Sequence, residues 1–178
     1  MGRIIYVTGG RRSGKSAFAQ AMAERVTGAK VYVATCPVID QETAARVEAH
    51  KKARQGKGWI TVEEEHDLAG AIRRAGDADA VLVECLTLWL NNLMYREERD
   101  GREASLEMVT KEMESALGAA SAARGAVIFV SNEVGLGIIP DNPLSRKFSD
   151  MAGIINQQAA ARSDEAYLVV SGLAQKLK

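Results

Sequence analysis

Residues 3–26 read RIIYVTGGRRSGKSAFAQAMAERV, and the fold turns on this stretch. Arg3 to Gly9, RIIYVTG, is a short apolar run that fits a buried strand. From Ser16 to Val26 the chain is Ala-rich and favours helix. Between them, Gly9, Gly10, Arg11, Arg12, Ser13, Gly14, Lys15 and Ser16 spell G-x-x-x-x-G-K-[S/T]. A strand that enters such a loop and leaves it as a helix makes a phosphate cradle. The glycines let the backbone curl so that its N–H groups point inward. The helix N-terminus adds a partial positive charge. Lys15 is placed to reach the β- and γ-phosphates of a nucleoside triphosphate, and Ser16 to ligate Mg²⁺.

Outward from this loop the same alternation continues. KVYVATC (30–36) reads as a second strand, after which Asp40 is placed to cap a helix. GWITVEE (58–64) is strand-like, and DLAGAIRRAG (67–76) is a helix capped by Asp67 and ended by Gly76. DAVLVECL (79–86) is a fully buried strand, followed by a helix over 87–98 and a polar break over 98–103. A helix over 104–124, a strand over 126–132 and a loop over 133–144 come next. A helix over 145–163 and a last strand, EAYLVVSG (165–172), complete the chain. Strands separated by helices give βαβ units and a mostly parallel sheet covered on both faces. The expectation is an α/β fold of the P-loop NTPase type, three layers α/β/α and RecA-like. With no internal repeat or linker, a single domain over residues 1–178 is expected. Ligands in such sheets sit at the carboxyl ends of the strands.

Composition narrows the function. Lys+Arg and Asp+Glu number 23 each, so the net charge is zero. That argues against a general nucleic-acid binder, which needs excess positive charge. A small anionic ligand held by a local cluster remains compatible. Cys36 and Cys85 are isolated, so they form neither a disulfide framework nor a zinc site. No apolar run reaches the ~18 residues that span a bilayer, and no signal-peptide layout opens the chain. A reducing, cytoplasmic setting is the expectation.

Two further features bear on chemistry. Glu84 ends a buried apolar strand, where a carboxylate is costly unless paired or near a cation. It reads as the acid on the Mg²⁺ side of the phosphate loop, with a carboxylate satisfied by a nearby N–H as the alternative. In AARVEAHKKARQGKG (44–58), Arg46, His50 and Arg54 are four apart and share a helix face. On the residues alone this stripe reads as a solvated face; the alternative is a surface turned toward nucleotide phosphates, with Lys51 adding charge. Adjacent cations favour a neutral imidazole, which is a competent nucleophile at phosphorus. His66, among acids at a helix start, reads as a surface residue.

Nearly the whole chain resembles the bifunctional adenosylcobinamide kinase/adenosylcobinamide-phosphate guanylyltransferase family of cobalamin assembly. The resemblance rests on VTGGRRSGKS, YVATC, AARVEAHK, VLVECLTLWLNNL, SNEVGLGIIPDNPLSRKFSDMAGIINQ and LVVSGLAQKLK. The phosphate loop is widely shared; A-A-R-x-x-x-H-K together with N-E-V-G-x-G-I-x-P-x-N is far more specific. The resemblance implies that His50 carries GMP covalently. Some relatives have a second histidine just before it, but Ala49 stands there in this chain. It also implies phosphorylation of the aminopropanol hydroxyl of adenosylcobinamide by ATP or GTP, then transfer of GMP from GTP to the new phosphate, giving adenosylcobinamide-GDP.

By the same match, Ala34, Thr35 and Cys36 line the nucleotide pocket. Lys51, Lys52, Ala53 and Arg54 follow the GMP group, and Glu63 contacts guanine or ribose. An exposed acid is the plain alternative for Glu63. Asn132 and Glu133, past a strand end, are candidates for the corrinoid or nucleotide site without an assigned role. A homotrimer is implied, with small-molecule substrates and neither nucleic acid nor a membrane span. A plain small-molecule kinase with His50 idle, and a non-catalytic nucleotide-binding module, are the competing readings. The Lys15, Ser16 and Glu84 set disfavours the latter.

Overall fold

The computed structural model describes residues 2–37 and 41–178, without the side chains of Glu42 and Arg46. In chain order the elements are β1 (Ile4–Gly9), α1 (Lys15–Ala23), β2 (Lys30–Ala34), α2 (Gln41–Arg54), β3 (Trp59–Glu63), α3 (Leu68–Arg74) and β4 (Ala80–Glu84). There follow α4 (Leu86–Arg99), α5 (Leu106–Ala122), β5 (Ala126–Asn132), a 3₁₀ turn (Val134–Leu136), α6 (Pro143–Arg162), β6 (Glu165–Val170) and β7 (Leu173–Lys176). The expected cap of α2 by Asp40 lies outside the described residues.

The strands form one sheet in the order β3-β2-β4-β5-β1-β6-β7. Every pairing is parallel except β6 with β7. The phosphate-loop strand β1 therefore has β5 on one side and β6 on the other, and β5 separates it from β4.

Period-2 alternation sorts the strand residues between two cores. Ile4, Tyr6, Val31, Val33, Val81, Val83, Val127 and Phe129 face α3, α4, α5 and α6. Ile5, Val7, Tyr32, Leu82, Ile128 and Val130 face the side that α1 covers. Both faces are covered, as a nearly continuous apolar run in each strand requires. The layers are unequal, because one face carries four helices.

Local chemistry sets the ends of these elements. Asp67 accepts from Gly70 N at 2.7 Å and caps α3, and Gly76 follows with φ 57°. Asn142 accepts from Ser145 N at 3.1 Å, and Pro143 occupies the first turn of α6. The helix thus begins two residues earlier than its apolar pattern indicates.

The final strand, β7, was not expected. Its residues Leu173–Lys176 are all exposed and carry no apolar alternation. The hairpin turns on Ser171 and Gly172, with φ 51° and 81°. Two consecutive positive φ values are the geometry that joins antiparallel strands through a two-residue loop.

The helix α2 is different in kind. Among its described side chains only Arg54 is buried. It has no apolar face and is held at its C-terminal end. Gln20 on α1 donates to Ala53 O at 3.3 Å, and Lys51 pairs with Glu63 at 3.4 Å. The end of α2 is thereby fixed against α1 and β3 over the carboxyl ends of the strands.

Candidate active site

At those carboxyl ends lies a cavity of about 880 Å³, within the size range of small-molecule sites. Three groups of elements build it. The phosphate loop supplies Arg11, Arg12, Lys15 and Ser16; β2, β3 and β4 supply Tyr32, Ala34, Cys36, Glu63 and Glu84; α2 supplies Val47, His50, Lys51 and Arg54. Asn132, Glu133 and Val134 close it beyond β5.

The loop has the expected form. Gly14 caps α1 with φ 94°, a conformation that a side chain disfavours. Lys15 is 8% exposed, and its Nζ donates to Gly10 O at 3.2 Å. A Cβ on Gly9 would come within 2.4 Å of Val169 O, so the strand end admits only glycine without displacement. The hairpin before β7 backs the loop directly: Gly172 N donates to Ser13 O at 2.8 Å.

Ser16 Oγ donates to Glu84 Oε1 in a short hydrogen bond that links the loop to the end of β4. Glu84 is therefore paired with the residue that the motif assigns to the metal, rather than capped by a passing N–H. A hydroxyl and a carboxylate at the mouth of a phosphate cradle are hard oxygen donors. They suit a Mg²⁺ ion whose remaining positions go to phosphate and water.

At its C-terminal end the basic stripe is not solvated. Arg54 is 4% exposed, and its Cζ lies 3.4 Å from the centroid of the Tyr32 ring. Tyr32 in turn meets Trp59 edge-on at 6.3 Å. Nε and Nη1 of Arg54 are buried without a hydrogen-bond partner among the described residues. A desolvated guanidinium with open donors is costly until an anion meets it. Arg46 belongs to α2, but its side chain lies outside the described residues. His50 is half-buried and lines the same cavity as Lys15.

Other expected site residues fall beside the cavity. Thr35 is fully buried, and its hydroxyl clasps β4: Oγ1 donates to Cys85 O at 2.9 Å and accepts from Cys85 N at 2.7 Å. It supports the wall rather than lining it. Lys52 and Ala53 lie on the exposed side of α2, with Lys52 facing a second, shallower depression. Gly9, Gly10, Ser13 and Gly14 shape the loop from behind Lys15 and Ser16. Glu63 is exposed but lines the cavity and pairs with Lys51.

Of two residues that sequence reasoning passed over, one lines the site and the other supports its wall. Tyr32 is the platform for Arg54, and Asn92 donates to Thr35 O at 2.7 Å and holds the end of β2. The alternation of β2 placed Tyr32 on the α1 face; nothing local announced a cation above it.

The cysteines differ in accessibility. Burial pushes the Cys85 thiol up to about 11, with the Glu84 carboxylate adding to the effect. Cys36 is half-buried and faces the cavity. Iodoacetamide near neutral pH is expected to alkylate Cys36 and spare Cys85, since the thiolate is the reactive form. GTP is expected to slow the Cys36 reaction several-fold. Peptide mapping by mass spectrometry with and without nucleotide checks both.

A phosphate loop on β1, a partner acid on β4 and one strand between them define a RecA-like P-loop NTPase fold. The fold is shared with an ATPase of the type III secretion system at TM-score 0.60, 10% identity, over 99% of this chain and 58% of that one. The RadB recombinase matches at TM-score 0.52 and 15% identity, over 93% and 73%. More specifically, the model for the family "cobinamide kinase / cobinamide phosphate guanyltransferase" matches residues 5–177, and the chain belongs to that family.

Among relatives, the bifunctional adenosylcobalamin biosynthesis protein CobU of Escherichia coli K12 is 39% identical over 98% of this chain and 99% of its own. CobU of Salmonella typhimurium LT2 is equally similar over the same shares. CobP of Pseudomonas aeruginosa is 38% identical over 97% and 95%. The chain is accordingly a bifunctional kinase and guanylyltransferase acting with ATP or GTP and Mg²⁺. Among the described residues no helix is long and apolar enough to cross a membrane.

Proposed function

We propose that one domain, residues 1–178, performs both half-reactions in the single cavity between the phosphate loop and α2. The supporting observation is that His50 and Lys15 line the same space. In the kinase step the loop holds the triphosphate, and Lys15 offsets charge on its β- and γ-oxygens. Ser16 and Glu84 would hold Mg²⁺, which would neutralise charge on the phosphates. The terminal hydroxyl of the aminopropanol arm of adenosylcobinamide receives the γ-phosphoryl group. Positioning carries most of this step, since the transfer asks little covalent chemistry of the protein.

In the guanylyltransferase step a ring nitrogen of His50 attacks the α-phosphorus of GTP. The bond to the bridging oxygen breaks, pyrophosphate leaves, and GMP remains on His50 as a phosphoramidate. The phosphate of adenosylcobinamide phosphate then displaces His50 and gives adenosylcobinamide-GDP. Arg54, with its open donors, is suited to the α-phosphate charge. Glu63 is suited to guanine, because a carboxylate accepts from both N1–H and the 2-amino group.

The reading extends to setting and assembly. Among the described residues neither Cys36 nor Cys85 is in a disulfide, in keeping with a reducing cytoplasm. The edge strand β7 leaves Leu173 77% exposed, a surface on which copies can associate into the homotrimer that the family resemblance implies.

GTP labelled at the α- or the γ-phosphate tests the central step. The α-label is expected to stay on the denatured protein and to be released by acid, as a phosphoramidate is. The γ-label is expected to wash away. Retention of neither would leave a plain kinase.

A further inference from the structure

We infer that Glu133 is the general base of the kinase step: its carboxylate takes the proton of the acceptor hydroxyl as that oxygen attacks the γ-phosphorus. The inference follows from which end of the phosphate loop Glu133 occupies. Its backbone N donates to Gly9 O at 3.1 Å, and Asn132 is in register with Gly9 across β5 and β1. Lys15 Nζ meets the next carbonyl, that of Gly10. A motif lysine serves the β- and γ-phosphates, so the Gly9–Gly10 end is where the γ-phosphate comes to rest. Glu133 stands beside that end and lines the cavity.

The other cavity carboxylates are placed elsewhere or engaged. Glu84 accepts from Ser16 on the metal side. Glu63 is paired with Lys51. Glu65 follows β3, at the far end of the strand order from β1. Glu133 is half-buried and makes no ion pair among the described residues. It accepts a long hydrogen bond, 3.4 Å, from the Thr8 hydroxyl. That contact turns Oε2 toward Thr8 and leaves Oε1 for a substrate hydroxyl. Thr8 is buried, and its one hydroxyl hydrogen is shared between Glu133 Oε2 and Ser131 O, 3.5 Å away, beneath the carboxylate.

The step balances. The acceptor O–H bond breaks and its proton passes to Glu133. An O–P bond forms at the γ-phosphorus, and the bond from that phosphorus to the β–γ bridging oxygen breaks. The nucleoside diphosphate leaves with the electron pair, and Glu133 later releases its proton to water.

Glu133→Gln keeps an oxygen that can accept from Thr8 but cannot take the proton. Single-turnover transfer of γ-label from GTP to adenosylcobinamide is expected to slow about 10²- to 10⁴-fold. KM for both substrates is expected to stay within about threefold, the pattern of an interaction made in the transition state. A loss under about tenfold, or one that excess Mg²⁺ restores, overturns the inference, because restoration would mark a metal ligand. Glu133→Asp withdraws the carboxylate by one methylene and is expected to slow the same step. It serves in place of the glutamine variant if that variant melts early. The inference rests on the phosphate loop's kinase role, which Lys15→Ala tests separately. A loss at Lys15 without one at Glu133 sinks only the base.

Discussion

His50→Ala is expected to abolish the acid-labile α-phosphate adduct and to lower guanylyl transfer by about 10⁴-fold or more, the scale seen when a covalent nucleophile is removed. Transfer of the γ-phosphoryl group is expected to continue, since the loop and Glu84 are untouched. The chain has only one other histidine, His66, and it does not line the cavity. Its backbone carbonyl instead accepts from Trp89 Nε1 at 2.7 Å. Of the amines that line the cavity with it, Lys51 is paired with Glu63 and Lys15 donates to Gly10 O. Acid-labile label retained on the His50→Ala protein would therefore move the nucleophile to another nitrogen, a lysine or His66, since both give acid-labile phosphoramidates, and would end the assignment. Acid-stable label would instead mark an ester to a hydroxyl side chain and would equally end the assignment.

The size of that effect depends on an arrangement only half visible in the sequence. The i, i+4 spacing of His50 and Arg54 put both on one face of a helix, and that was legible. What the spacing could not give is the direction of the Arg54 head. It stacks on Tyr32, which is 22 positions away in the chain and belongs to β2. Charge patterning alone favours a solvated stripe; a platform from another element reverses that result by desolvating the cation. Thr35 shows the opposite case. The family resemblance implies that it lines the pocket, whereas its hydroxyl is engaged by both backbone groups of Cys85.

The phosphate loop was legible because its residues act through local backbone geometry. Glu84 was legible because a carboxylate on an apolar strand demands a partner, and Ser16 is that partner. β7 was not, for a different reason: its four residues are all exposed and carry no apolar alternation to mark a strand. Leu173–Lys176 gain their strand from pairing with β6, not from propensity. The hairpin so formed returns Gly172 to hydrogen-bond the carbonyl of Ser13. The last strand thus braces the first motif.

Lys15→Ala is expected to slow γ-phosphoryl transfer by about 10²- to 10³-fold, as loss of one preorganised charge partner does. Lys15 is 8% exposed with its ammonium against Gly10 O. In so dry a position the charge acts on phosphate with little screening, so no surface lysine can replace it. Alanine is a good residue for the first turn of a helix, so the melting temperature is expected to hold and the loss to be one of catalysis. Single-turnover transfer from γ-labelled GTP checks it, and unchanged turnover would refute the role. The substitution also decides whether one triphosphate serves both chemistries. With His50 and Lys15 on the walls of one cavity, pyrophosphate leaving the α-phosphorus lies against the same ammonium as the β- and γ-phosphates in the kinase step. Adduct formation on His50 is therefore expected to slow together with γ-transfer. An adduct that forms at the unaltered rate while γ-transfer is lost would assign the two steps to separate nucleotide sites.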